Sequence, residues 1–355
     1  MNRMNRTQAT LTSRPRSTAG LALVTGANGH LGNTLVRALL GRGYAVRAGV
    51  RRLEDKAPLE GLCCERVRLE LLDADSLRKA LTGVDVLYQV AAAFRHWARD
   101  AEREIVQPNV EGSRLVLQAA AAAGVRKVVY VSSVAAVGHT GEPLDESQWN
   151  TEHENPYYRS KIESERAAWE VARQLGVAMV SVLPGAIVGP YAYRLTDTMN
   201  FLDQVRRRKL LVDPDFHFNF VDVRDVAAAM IEAAEHGLAG ERYILANHAS
   251  SSLADVFEVL GGSVAAGRMP PKAPRWLLAA MASLQQGLAV VTGRPPQLLP
   301  SQVRLFHGVR QVYSIDKARR ELGYAPRPPA EALAAGLDWL ERGGATAPPA
   351  MLPAC

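Results

Sequence analysis

From Leu21 onward, apolar runs of strand length alternate with segments whose apolar residues recur at helical spacing, the pattern of βα units on a parallel sheet. Leu21–Thr25 reads as a first strand and Leu31–Leu40 as its helix. Breaks at Gly41 and Gly43 lead into a second strand, Tyr44–Val50. Val67–Leu71 and Val84–Val90 follow as short strands, Glu102–Ala123 as a long helix ended by Gly124, and Lys127–Val131 as a β-branched strand. A further helix runs over Tyr157–Leu175 to Gly176, then a strand over Val177–Leu183. The expected fold class is α/β, a doubly wound parallel sheet.

Beyond Pro190 the alternation lapses. Joints rich in Pro and Gly at Met269–Pro271, Gly293–Pro296 and Arg327–Pro329 separate shorter helical pieces, so a smaller, mostly helical C-terminal region is expected. Two apolar runs, Phe218–Val223 and Arg242–Ala246, have strand character and are expected to rejoin the sheet. The longest apolar stretch, Trp276–Thr292, is interrupted by Gln285 and Gln286 and is short for a membrane span. It reads as a buried or surface-lying helix, with no transmembrane span, and leaves peripheral membrane contact open.

Composition acts by exclusion. The 355 residues are 48% hydrophobic and 22% charged, enough for a substantial core, which rules out a disordered, collagenous or coiled-coil chain. Lys and Arg number 42 against 36 Asp and Glu, a formal charge of +6, but the two signs are interleaved. No basic stripe carries stacking aromatics, so nucleic acid is not an expected partner. Cys63 and Cys64 are adjacent and Cys355 is terminal, which gives neither a disulfide framework nor metal-ligand spacing and suits a reduced, cytoplasmic protein. The histidines form no metal-binding cluster, so no metal is expected. Residues 1–19, rich in Arg, Thr and Ser without an apolar core, are expected to be a disordered tail rather than a secretory signal.

Candidate chemistry starts at the first strand–helix turn, Thr25-Gly-Ala-Asn-Gly-His-Leu-Gly32. Gly26, Gly29 and Gly32 permit a tight turn and a close approach of backbone N–H groups to a pyrophosphate, whose charge a helix N-terminus favours. Asn28, His30 and Leu31 belong to the same turn. The end of the second strand then selects the dinucleotide, because an acidic residue there holds the ribose of NAD(H) whereas a 2′-phosphate calls for Arg. Here Val46-Arg-Ala-Gly-Val-Arg51-Arg52 has no carboxylate before Glu54, so NADP(H) is expected ahead of NAD(H).

Tyr157 and Lys161 stand four apart and share one helix face. A phenol is a poor acid or base at neutral pH, and a nearby ammonium corrects this by stabilising the phenolate. Tyr158 has Ile162 at the matching position and lacks that partner. Ser132 and Ser133 end a strand at its carboxyl edge, where ligands bind in open parallel sheets, and Ser133 is placed to donate to a substrate oxygen. Arg206–Lys209 is a charge run at a helix end and reads as a solvated face.

The Gly-rich turn, Ser133 and the Tyr157/Lys161 pair, in this order, resemble the extended short-chain dehydrogenase/reductase superfamily over nearly the whole chain after the tail. More narrowly, Val46–Arg51, Pro184–Pro190 and Leu322–Tyr324 resemble dihydroflavonol-4-reductase-like proteins. Val90–Asp100 and Val129–Ala135 also resemble proteins labelled hopanoid-associated sugar epimerases. The resemblance implies a Rossmann-type dinucleotide-binding domain over 20–190, with 218–247 rejoining it. It further implies a substrate region formed by 191–217 and 248–345, and a tail over 346–355. It makes Tyr157 the general acid, Lys161 its modulator and a ribose ligand, and Ser133 the carbonyl polariser. Arg51, with Arg52 beside it, would hold the 2′-phosphate, and Glu70 and Leu71 would flank adenine, Glu70 replacing the usual Asp. Ala91 and Ala92 would pass along the ribose, and Pro184, Gly185, Ala186 and Ile187 would line the nicotinamide.

Nucleotide-sugar epimerases and dehydratases of the same superfamily share the Ser/Tyr/Lys set, so substrate-side residues must discriminate. Ala186 stands where those enzymes typically carry Asn, and Phe216–Asp222 lacks the Arg that grips a diphosphate. Phe94, Trp97, Phe201, Phe218 and Phe220 suit an apolar carbonyl compound, and His96 and Ala135 are further substrate-side candidates. The expected function is thus an NADP(H)-dependent oxidoreductase reducing a ketone or aldehyde of a small molecule. The alternatives are a sugar epimerase or dehydratase with a retained dinucleotide, and a non-catalytic NADP(H)-binding regulator. A monomer and a homodimer built on Glu102–Ala123 and Tyr157–Leu175 are both compatible with the resemblance.

Overall fold

The computed structural model of the chain describes residues 20–93, 96–139, 142–261 and 269–344. Phe94 therefore lies outside the described residues, as do the expected tails. The chain runs β1 (Leu21–Thr25), α1 (His30–Gly41), β2 (Ala45–Val50), β3 (Glu65–Arg68), α2 (Ala74–Leu81), β4 (Val86–Gln89), α3 (Gln107–Ala122), β5 (Lys127–Val131), α4 (Pro156–Leu175) and β6 (Met179–Pro184). There follow β7 (Ala186–Val188), α5 (Asp197–Arg206), β8 (Phe220–Asp222), α6 (Val223–Glu235) and β9 (Arg242–Leu245). The remainder is helical: α7 (Leu253–Gly261), α8 (Arg275–Thr292), α9 (Pro300–Phe306), α10 (Asp316–Leu322) and α11 (Pro329–Glu341).

Seven strands form one parallel sheet in the order β3-β2-β1-β4-β5-β6-β9. Strand alternation divides its apolar residues between two layers. Ala22, Val24, Val86, Tyr88, Val180 and Val182 pack with α1 and α6, whereas Leu23, Leu87, Val128 and Met179 pack with α2, α3 and α4. This is a Rossmann-type doubly wound α/β fold, and the order reverses between β1 and β4, where such sheets open a crevice at their carboxyl edge.

The two strand-like runs of the second half part company. Arg242–Leu245 extends the sheet beside β6, but β8 pairs only with β7 in a separate two-stranded parallel sheet. Around that small sheet α5, α7 and α11 build their own apolar cluster, and α8 and α9 build another against Ala135, Tyr158 and Phe216. The long helix expected from Glu102 opens as a π-helical turn over Glu102–Val106 before α3, because Pro108 has no N–H to continue an α-helical ladder there. Cys64 is a free thiol. Among the described residues no helix is long and apolar enough to cross a membrane.

Candidate active site

A single cavity of about 1720 Å³ runs along the carboxyl edge of the sheet, from the turn after β1 to the helices α8 and α9. Its first wall is the β1–α1 turn. Gly26 adopts φ +62°, a left-handed conformation that side chains resist, and a Cβ on Gly32 would collide with the Gly26 carbonyl oxygen. The N-cap of α1 is Gly29, so no side chain satisfies the first N–H groups, and the first turn carries no acidic residue. A helix start left open in this way, at a cavity wall too tight for a Cβ, suits an anionic group such as a pyrophosphate.

Thr25 fixes the opposite wall. Its Oγ1 accepts from the N–H groups of Val90 and Ala91, both at 2.9 Å, which holds the Ala91–Ala92 segment against Gly26. Asn109, on α3, clamps the continuation: the Ala93 N–H donates to its Oδ1 at 2.7 Å, and its Nδ2 donates to Ala93 O and to Ser160 Oγ.

The catalytic candidates meet where α4 begins. Asn155 caps that helix by accepting from the N–H groups of Tyr157 and Tyr158, Pro156 occupies its first turn, and Gly176 ends it in the left-handed conformation. The cap fixes Tyr157 in the first turn, and one turn later Lys161 lines the same cavity. Ser133 hydrogen-bonds the Tyr157 phenol. It also accepts from the Ala135 N–H at 3.1 Å, so it serves the backbone and the cavity at once. Ser132 turns into the protein and donates to Glu165 at 2.6 Å. Burial pushes the Tyr157 phenol up to about 12, against the bond to Ser133, and pushes Lys161 down to about 8, against the Glu165 carboxylate. The His96 ring lies tilted against that of Tyr157, 4.6 Å between centroids, and places Nε2 3.0 Å from the Asp197 carboxylate.

A family model described as the NAD dependent epimerase/dehydratase family matches residues 22–246. The chain belongs to that family. Sterol demethylase protein B of Methylococcus capsulatus is 37% identical over 91% of this chain and 98% of its own. Dihydroflavonol 4-reductase of Hordeum vulgare is 31% identical over 64% of this chain and 71% of its own. Among solved structures, that of gox2253 matches with a TM-score of 0.78 and 32% identity, covering 92% of this chain and all of that one. The resemblance to an extended short-chain dehydrogenase/reductase read from the sequence is thus borne out.

Of the sequence candidates in this epimerase/dehydratase-family chain, the structure gathers most along one cavity. Gly26, Asn28, Gly29, His30, Leu31, Gly32, Arg51, Glu70, Leu71, Ala91 and Ala92 line one end. Ser133, Ala135, Tyr157, Lys161, Pro184, Gly185, Ala186, Ile187, His96, Trp97 and Phe201 line the middle and the far end. Arg52, exposed just beyond β2 as Arg51 is, lies outside the lining. Phe220 is corrected as a substrate contact: it is fully buried in the cluster around β7 and β8, behind Phe218, which does reach the cavity.

Sequence reasoning missed Asn109, Arg194, Phe216 and Phe306. Arg194 pairs with Asp55, which also accepts from Asn28 at 2.7 Å, so a cation sits over the Gly-rich turn. No spacing in the chain signals that contact, which joins residues 139 apart.

Two buried imidazoles face the cavity, and burial pushes both down to about 4. His30 donates from Nε2 to the Pro190 carbonyl oxygen at 2.9 Å, and His139 stands edge-on to Tyr158 at 4.6 Å. Each is neutral when folded but protonates near the ordinary value of about 6.5 once unfolded. Stability is therefore complete above that value and is lost as pH falls toward 4, by about 2 to 3 kcal/mol per histidine at pH 4.5. Urea unfolding at pH 7 and pH 4.5 is expected to show His139→Gln losing less stability between the two than the parent chain. An equal loss would remove His139 from the acid response.

Proposed function

We propose that the protein is an NADP(H)-dependent oxidoreductase that reduces a ketone or aldehyde on an apolar small molecule. The observation that carries this reading is the wall facing Tyr157. Phe201, Phe216, Phe218 and Phe306 interlock there with ring centroids 5.5 to 6.2 Å apart, and Leu278 and Met281 of α8 extend the apolar lining. Such a surface rewards burial of an apolar body and offers little to a hydrated sugar diphosphate. The names of the relatives, a sterol demethylase protein and a reductase, point to the same class.

When bound, the dinucleotide supplies the hydride; the chain holds it at the Gly-rich turn, with Arg51 at the end of β2 reserved for the 2′-phosphate. The substrate carbonyl oxygen accepts from Ser133 and from the Tyr157 hydroxyl, which gives up its proton as the carbon is reduced. Lys161, as ammonium, stabilises the phenolate that remains until solvent returns the proton.

The deciding assay follows NADPH oxidation against ketones and aldehydes of increasing apolar size, up to a steroid ketone. Turnover that rises with apolar size supports the reading. A tightly retained dinucleotide with no net oxidation would replace it with an epimerase or dehydratase. Arg51→Ala is expected to raise KM for NADPH by about 10- to 100-fold, as befits a lost charged hydrogen bond, and to leave KM for NADH within about threefold. Equal effects on the two cofactors would remove Arg51 from the 2′-phosphate.

A further inference from the structure

Helix α8 is apolar on both its inner and its outer side. Its inner side, Leu278, Ala282 and Ala289, is buried, but Trp276, Ala280, Leu284, Leu288 and Val291 form a continuous apolar face toward solvent. Exposure along it reaches 72% at Trp276, 67% at Leu284 and 79% at Val291, with no polar side chain among the five. A soluble chain does not ordinarily leave such a face bare.

Charge indicates what covers it. From residue 259 to residue 315 the sequence contains no Asp or Glu and six Lys or Arg, a local imbalance far from the chain's near-even overall count. Arg275 begins α8 and Arg294 follows its end, both exposed, so the apolar face is bracketed by cations. Lys272 is tied to Asp215 and Arg304 to Glu152, whereas Arg99 adds a further cation at the end of α8, where it donates to the Val291 carbonyl oxygen at 3.3 Å. A tryptophan at one end, basic groups at both and aliphatic residues between them match the headgroup-to-acyl boundary of a bilayer.

The same helix is a wall of the cavity. Met281 is both exposed and cavity-lining, and Leu211, 84% exposed beside Lys209, lines the cavity from another segment. We propose that α8 docks the protein on an anionic phospholipid bilayer, with the cavity mouth between Met281 and Leu211 at the membrane surface. An apolar substrate would then enter from the lipid rather than from water. The route of entry rests on the function proposed above; the docking does not.

Cosedimentation of the full chain with phosphatidylcholine vesicles, with and without phosphatidylglycerol, tests the docking without any turnover. The protein is expected to pellet with the anionic vesicles, to release as salt is raised, and to partition at least about tenfold more weakly as Leu284→Glu/Leu288→Glu. Neither leucine lines the cavity, and both are exposed, so the thermal midpoint of this variant is expected to match the parent. Arg275→Ala/Arg294→Ala is expected to lose the preference for anionic lipid alone. A parent chain that stays in the supernatant with both vesicles overturns the proposal. So does a parent dimer that the leucine variant converts to monomer while neither binds vesicles, which would assign the face to a second copy of the chain.

Discussion

Tyr157→Phe is expected to lower kcat for carbonyl reduction by about 10²- to 10⁴-fold, the range of a lost general acid. The substitution removes one oxygen. The ring keeps its contacts with His96 at 4.6 Å and Tyr158 at 5.5 Å, and the Asn155 cap holds Tyr157 by its backbone N–H rather than by the phenol, so the fold and the dinucleotide end of the cavity are untouched. What disappears is the bond with Ser133 and, in the proposed mechanism, the proton that passes to the substrate. Because burial pushes the phenol up to about 12, Tyr157 carries its proton throughout the neutral range, as an acid must. In the proposed mechanism, releasing that proton needs Lys161 as ammonium, and Lys161 is pushed down to about 8 by burial. Its charged form therefore prevails below that pH and is lost above it, so kcat/KM for reduction is expected to fall as pH rises through about 8. Steady-state rates from pH 6 to 10 measure both effects. A Tyr157→Phe enzyme within tenfold of the parent would take the tyrosine out of the acid role.

Much of this arrangement is legible in the sequence because the contacts that make it are local. The β1 turn and α1 are consecutive, the glycines sit where the backbone crowds itself, and Tyr157 and Lys161 share a face by helical spacing alone. What the sequence conceals comes from distant segments. Phe218 and Phe220 look equivalent along the chain. Their roles separate because β8 pairs with β7 and buries Phe220, whereas Phe218 sits before that pairing, bridged to Ser251. Arg51 and Arg52 also look equivalent along the chain, yet only Arg51 lines the cavity. Phe216 and Phe306 meet at 5.6 Å although ninety residues separate them, and no periodicity encodes that meeting.

The least legible contact carries the largest expected stability effect. Arg242→Met is expected to destabilise the fold by about 3 to 5 kcal/mol, the cost of stranding a buried charge, and to lower the thermal midpoint by about 10 °C. The stranded charge is Glu165, fully buried on α4, which accepts from Arg242 Nε at 2.9 Å, Arg242 Nη2 at 3.2 Å, Ser132 Oγ at 2.6 Å and Trp169 Nε1 at 3.2 Å. Arg242, on β9, donates Nη1 to the carbonyls of Glu146 and Gln148, both at 2.8 Å, and stacks 3.9 Å over the Trp149 ring. A lysine has neither the planar fork nor the stacking surface, so Arg242→Lys is expected to recover little. The pair is coupled, and Glu165→Gln/Arg242→Met is expected to cost less than the sum of the two single changes in a double-mutant cycle. A loss under about 1 kcal/mol for Arg242→Met would show that the charge finds other partners. The same carboxylate reaches the chemistry one turn away, because Glu165 holds Lys161 higher than burial alone would leave it. Glu165→Gln is therefore expected to move the basic limb of the pH profile to lower pH while Tyr157 and Ser133 keep their places. Such a shift, without a matching change in KM for NADPH, would separate a carboxylate that tunes the ammonium from one that only braces α4 against β9.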